Sequence, residues 1–308
     1  KMNLSINGTA NDNGINSNQR IGVNYSQNTQ KLKYGGSIEI RENQRDSWSK
    51  RHTESFLSDN TSQFSQQNNQ SNGKTDAISG NFRFEWKIDS LTTIMYRPSV
   101  NFSKGNSNSG SFSETLNNEL IPINQKEATN RQTNDRFSTN GSLQFNRKLN
   151  SKGRNIALRL YYNLDNGNSD RYSLANTYYL KYGDSIKVQN QWIDNLNRNH
   201  EYRVQLTYME PVFTNHFIEI NYSYQHRSSL SEKYAYDWND LEDSYSQYPD
   251  TAQSDCYKNK YSIHQVGAFF RTIRTNYFYN IGIEIEPQQT TNQSYMRDTT
   301  LEYSSRNA

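Results

Sequence analysis

The sequence predicts an all-β protein: an antiparallel up-and-down transmembrane β-barrel, present in part as about eleven strands, with short periplasmic turns and long extracellular loops. Three observations carry that expectation. Apolar and polar residues alternate with period two along much of the chain, which marks strands with one apolar and one polar face; no window shows a comparable helical period. The composition lacks the apolar mass of a soluble interior. Leu, Ile, Val and Phe make only 57 of 308 residues, whereas 23 Tyr, 13 Phe and 4 Trp are far more aromatic than a solvated coil. Finally, the alternating runs are long. Residues 76–88 or 133–147 would extend over roughly 40 Å and, tilted by about 40°, would stand about 30 Å tall, enough to cross an apolar bilayer band.

Taken in order, Ile21, Val23 and Tyr25 alternate with Gly22 and Asn24, and Ile38 and Ile40 alternate with Ser37, Glu39 and Arg41. From Ile78 to Ile88, Phe82, Phe84 and Trp86 interleave with Arg83, Glu85 and Lys87. Ile94, Tyr96, Val100 and Phe102 form the next strand; Pro98 inside it deletes a ladder donor and predicts a bulge. Leu158 and Leu160 flank Arg159, Val204 flanks Arg203, Ile218 and Ile220 flank Glu219, and Ile283 and Ile285 flank Glu284. Around 261–272 the apolar positions change parity, with Ile263 on one and Val266, Ala268 and Phe270 on the other, so that no face can be assigned.

Short turns near 28–31, 89–90, 150–153, 211–215 and 274–276 recur about every 60 residues, a spacing that reflects hairpins rather than a solenoid repeat. Between them, stretches at 47–75, 105–132, 167–198 and 231–256 are crowded with Asn, Ser, Gln and Asp and read as loops, all on one side of the hairpins. The whole chain, 1–308, reads as a single barrel segment without a plug or a signal peptide. It enters from the periplasmic side at Lys1 and stops within an extracellular loop at Ala308. A soluble sandwich would need a second layer over the apolar faces, and no helix-forming segment offers one.

Charges sharpen this picture. An Arg or Lys facing lipid at the midplane costs roughly 2–4 kcal/mol, so Arg83, Glu85, Lys87, Arg159, Arg203, Glu219 and Glu284 are expected to point into a wet lumen. Trp86, Tyr96, Phe145, Tyr208, Phe213, Phe217, Tyr277 and Tyr279 gather near the short turns and suit an interfacial girdle, although cross-strand pairing in any sheet would use them equally.

Several chemistries find no support. The lone Cys256 excludes disulfide scaffolds and paired-cysteine metal sites. His52, His200, His216, His226 and His264 are scattered without ligand spacing, and no nucleophile elbow, P-loop or dinucleotide fingerprint occurs. The chain therefore reads as a non-enzyme without cofactor or metal. A net charge of +3, spread along the chain, does not point to nucleic acid. Asp237 to Asp243, followed by Asp250 and Asp255, lacks the glycine and spacing of a Ca²⁺ loop and reads as a solvated acidic stretch. Aromatic side chains in the polar stretches, Trp48, Tyr178, Trp192, Trp238 and Tyr245 foremost, are candidates for stacking on a sugar or peptide ligand, or for packing the loops together.

The run from Tyr208 through Glu210, Pro211, Phe213 and Phe217 to Tyr224 resembles a periplasmic hairpin of TonB-dependent-receptor-like outer-membrane barrels of Bacteroidota, and the hairpin Trp86–Tyr96 is similar in style. The resemblance implies a 22-stranded barrel in the bacterial outer membrane, embedded in its lipid. It also implies an N-terminal plug contacting TonB, import of a nutrient captured by external loops and, in some relatives, a surface lipoprotein lid. The expected function is accordingly the barrel portion of such a transporter. The alternatives are a structural or secretion-related outer-membrane barrel without an uptake role, and a secreted soluble β-rich adhesin.

Overall fold

The computed structural model describes residues 1–57, 61–181, 185–296 and 299–307, with no side chains described for 306 and 307. Its elements are β1 (Met2–Asp12), β2 (Asn16–Asn28), β3 (Leu32–Phe56), β4 (Ser62–Lys87), β5 (Thr92–Leu116), β6 (Pro122–Lys148), β7 (Asn155–Tyr179), β8 (Ser185–Phe213), β9 (His216–Asn239), β10 (Ser244–Tyr245), β11 (Asp255–Ile273), β12 (Phe278–Ser294) and β13 (Thr299–Asn307). They form one antiparallel sheet in which each strand pairs with the next, except that β9 pairs with β11 and the two-residue β10 adds to β9. The first and last strands are not paired with each other, so the sheet is open.

The expectation of strands in hairpins holds; that of long loops does not. The stretches read as loops at 47–75, 105–132, 167–198 and 231–256 are for the most part the distal halves of β3 to β9, and strands of 24 to 29 residues result. Among the described residues the strands number thirteen rather than about eleven, because the two-residue β10 and the mostly polar β13 carry too little one-sided apolar pattern to announce themselves. In the distal halves both faces are polar, so the two-residue period has no contrast to display. Pairing nevertheless continues, because the ladder hydrogen-bonds every backbone group whatever the side chains. Amide and hydroxyl groups add cross-strand bonds such as Asn69 Nδ2 to Ser49 Oγ at 3.2 Å and Ser229 Oγ to Asn199 Oδ1 at 2.6 Å. The last described segment, Thr299–Asn307, is a strand paired with Glu286–Ser294, and Ala308, expected within a loop, lies outside the described residues.

Pro98 makes no bulge. It stays in register opposite Gly141, and only the bridges on its β4 side, between Asn81↔Ser99 and Phe84↔Tyr96, are interrupted, which accommodates the missing donor. Register shifts occur instead at Thr115/Leu116 and at Pro211/Phe213. The parity change near 261–272 resolves in the same way. The register of β11 against β9 is continuous from Asp255 to Thr272, which places Val266, Ala268 and Phe270 on one face and Ile263 and Phe269 on the other.

Turns at the predicted short ends are closed by side-chain oxygens. Asp89 accepts the N–H groups of Leu91 and Thr92, both at 2.7 Å, and the Leu91 bond foremost holds its carboxyl below the ordinary range. Asn150 accepts Lys152 and Arg154 in the same way. At the other ends, among the described residues, the turns at 13–16 and 117–121 are as short; Asn13 and Asn117 cap them, and Gly14 supplies the positive φ of 78°. The exception is the segment 240–254. Beyond Lys233 the β11 ladder ends, and there the Ala235 N–H is taken by Ser254 Oγ at 3.0 Å and its carbonyl by Asp250 N–H at 2.7 Å.

Candidate functional site: a two-faced belt and an aromatic cleft

Following the register across the sheet identifies the residues that share a face. Leu32, Trp86, Ile94, Phe145, Leu158, Leu206, Tyr222, Val266 and Ile285 lie in one cross-strand row. Around this row an apolar belt runs uninterrupted from β1, with Leu4 and Ile6, to β12. Among the described residues no second layer covers it. Ile283 is 74%, Ile220 49% and Phe82 48% exposed, and the same holds along the belt, where a soluble monomer would bury such residues or break up the patch.

The belt has a defined height. On β4 it runs from Ile78 to Trp86, nine residues, which is the length a tilted strand needs to cross a bilayer core, about 9–11 residues. It also slants. On β3 the apolar positions lie from the reference row outward to Ile40, whereas on β12 they lie from that row in the opposite direction to Tyr279. The midpoint drifts by about seven residues over eight strand-to-strand steps; at roughly 3.3 Å per residue and 4.8 Å per step, that inclines the belt by about 30° to the rows. Strands of closed barrels tilt by about 35–45°.

The opposite face at the same height is charged and internally paired. Glu85 accepts from Lys33 at 3.2 Å and from Arg83 at 2.8 Å, and Arg271 pairs with Glu219 at 2.7 Å. Gln225 donates to Glu201 and accepts from Arg203, while Gln265 accepts from Ser223 and donates to Glu284. The charges expected in a lumen therefore all lie together on one side, Arg159 included. Phe269 also lies there, its ring directly over Gly267 and Gly282. A Cβ on Gly267 would sit 2.6 Å from the ring, and one on Gly282 would strike both the ring and the Ala268 carbonyl. Of the expected girdle, Trp86, Tyr96, Phe145, Tyr208 and Tyr279 are on the belt face, Phe217 is on the polar face, and Phe213 and Tyr277 sit at turns. A second aromatic rim went unnoticed in the sequence: Tyr202 packs on Tyr224 and His226, and Tyr224 on His264, at the belt's distal edge.

Farther out on the belt face, three of the five candidate stacking residues come together. Trp238 meets Tyr245 edge-on at 5.0 Å, and Tyr245 meets Tyr172 at 5.8 Å. Trp192 stacks on Tyr236 at 4.7 Å with its indole N–H on Asp170 at 3.1 Å. The Tyr245 hydroxyl donates to Asn190 Oδ1 at 3.1 Å, and burial, then the neighbouring Tyr172, pushes its phenol up from the usual value. Trp48 is 78% exposed and unstacked, and Tyr178 lies near the distal end of β7, apart from the cluster. Beside the cluster a cleft of about 560 Å³ opens, lined by Asn72, Asn108, Gly110, Arg131 and Tyr172 among others. These amides and Gly110 carry no signal in the sequence, because their convergence depends on the strand register.

Among the described residues no group of His, Cys, Asp and Glu has the geometry of a metal site. Asp250 in the acidic segment caps a turn, accepting the Ala252 N–H at 2.8 Å and the Gln253 amide at 2.7 Å. No protein-family model matches the chain, and neither does any curated protein.

Proposed function

We propose that this chain is part of the wall of a TonB-dependent-receptor-like outer-membrane β-barrel that imports a nutrient ligand captured on its external side. One observation carries the membrane reading: a nine-residue apolar belt, uncovered on one face, alternates residue by residue with paired charges on the other and slants across the ladder as tilted strands require. Lipid would cover the belt, and the ion pairs would line water. Facing lipid instead, a midplane cation such as Arg271 would cost roughly 2–4 kcal/mol.

The uptake role is supported by the two hairpins that resemble such receptors and by a face on which amides, hydroxyls and paired charges predominate, with Phe217, Ile263 and Phe269 among its few apolar residues. The wall itself carries no chemistry; it separates a wet conduit from hydrocarbon and holds the strand extensions outside. Energy coupling through TonB, a plug and a surface lipoprotein belong to the same proposal.

The test is fractionation of the expressed protein followed by electrophoresis with and without boiling. Recovery with the outer membrane and heat-modifiable migration are expected. A folded protein that is soluble without detergent would refute the membrane reading. Outer-membrane recovery with no ligand accumulation attributable to the protein would leave a barrel without an uptake role.

A further inference from the structure

We infer that the cleft beside Tyr172 and Tyr245 is a saccharide-binding site on the belt-bearing face of the sheet. Two adjacent cross-strand rows build it. One runs Gln70, Gly110, Thr129, Leu174 and Asn190; the other runs Asn72, Asn108, Arg131 and Tyr172, continuing to the Trp192–Tyr236 stack. Tyr245 closes one end.

The chemistry of the lining selects the ligand class. Gln70, Asn72, Asn108 and Asn190 each carry both donors and acceptors, which matches hydroxyl groups that also do both. Tyr172 and Tyr245 offer flat apolar faces against which the C–H side of a sugar ring can lie. Arg131 is the one charged lining residue and makes no ion pair among the described residues, so a neutral or mildly anionic sugar fits. A peptide adding as a strand finds no vacancy, since every strand beneath the cleft is paired on both sides. A volume of about 560 Å³ lies within the usual range of ligand sites, about 300–1,000 Å³.

Gly110 supplies an independent sign. Gly267 and Gly282 are glycine because a ring lies against them, but a Cβ on Gly110 would meet nothing within 4 Å. A glycine inside a strand marks a bulge, a bend or a close approach to the backbone, and Gly110 keeps continuous register against Gln70 and Thr129, which favours a close approach. Trp48, in the same row and one strand beyond Gln70, presents an uncovered ring that a longer oligosaccharide would reach.

The lining and its ligand class stand without the membrane reading; the direction the cleft faces rests on it. With the belt in lipid, the cleft opens outward, six residues or about 20 Å along the strand beyond Phe102 at the belt's edge. The sugar could then be the carbohydrate of a glycolipid in the surrounding leaflet or a free oligosaccharide. Binding is measured on the detergent-extracted protein by titration with carbohydrate released from the host's lipopolysaccharide, and on an array of free neutral and acidic oligosaccharides. Gly110→Trp, whose Cβ meets nothing within 4 Å and whose indole would project into the cleft, is expected to weaken binding at least tenfold. Tyr172→Ala is expected to do likewise, and Tyr179→Ala on the opposite face to change it less than twofold. Binding of the released lipopolysaccharide carbohydrate supports the proposal with a membrane source, and binding on the array supports it with a free source. No binding in either arm, or binding unaltered by Gly110→Trp, overturns it. A protein that binds sugar yet fractionates as soluble would retain the cleft and lose the barrel.

Discussion

The strands have two halves built on different principles. In the proximal half, from the short turns to Ile40, Ile78 and Phe102, the two faces are opposites: uncovered aliphatic and aromatic residues against paired charges. In the distal half amides, hydroxyls and scattered charges occupy both faces, with apolar residues in isolated groups such as the Trp192–Tyr236 stack rather than in a belt, and the same backbone ladder continues. The difference teaches that pairing alone extends a sheet, whereas facial contrast decides what surrounds it. A substitution that ignores this contrast should be costly in the first half and cheap in the second.

The largest effect is expected from placing a charge on the belt. Ile220→Arg should cost roughly 2–4 kcal/mol and deplete the heat-modifiable species in lipid. Val188→Arg, on the same face in the distal half and already 63% exposed, should change stability by less than about 0.5 kcal/mol. Equal sensitivity at both positions would break the comparison.

Gly282→Ala comes next. The added methyl meets the Phe269 ring and the Ala268 carbonyl, so a loss of about 1–3 kcal/mol is expected in a urea unfolding titration in lipid. Gly110→Ala, with nothing near it, should be close to neutral. Ion pairs sharpen the contrast further. Arg271→Met leaves the buried Glu219 without its 2.7 Å partner and should cost roughly 1–3 kcal/mol. Lys104→Met removes an exposed 3.9 Å contact to Asp135 and should be barely measurable.

The smallest effect concerns Asp194, which faces Asp170 directly across the ladder. Burial first, then the charges of Asp170 and Glu232, hold its carboxyl above the ordinary range. A raised carboxyl favours the protonated form in the folded state, so stability is greatest at low pH and falls as pH rises through the carboxylate range. Asp194→Asn should therefore be more stable than the parent at neutral pH by roughly 0.2–1 kcal/mol, with the difference vanishing in acid. A difference that persists at low pH would contradict this cause.

The same contrast governed what could be read in advance. Where Arg83 interrupts Phe82 and Phe84, or Glu219 interrupts Ile218 and Ile220, the strand and its faces were plain from the letters alone. Where Ser, Asn and Gln occupy both parities, as in Ser65 to Asn72, period two vanishes and a strand looks like a loop. Pro98 misled because a ladder can forgo bridges on one side without shifting register. The cleft was partly visible: Trp192, Trp238 and Tyr245 drew attention as aromatics in polar surroundings. Gly110, Asn108 and Arg131 did not, since only the registers of β4 to β8 bring them beside Tyr172.

The most direct test is a nitroxide scan along β9 in protein reconstituted into bilayers, reading collision with oxygen, which concentrates in lipid, against a water-soluble nickel complex. Positions 218, 220 and 222 should favour oxygen and 219, 221 and 223 the nickel complex, with the alternation fading at 228–232. Nickel accessibility at Ile220 equal to that at Glu219, or alternation of the opposite phase, would contradict a lipid-facing belt.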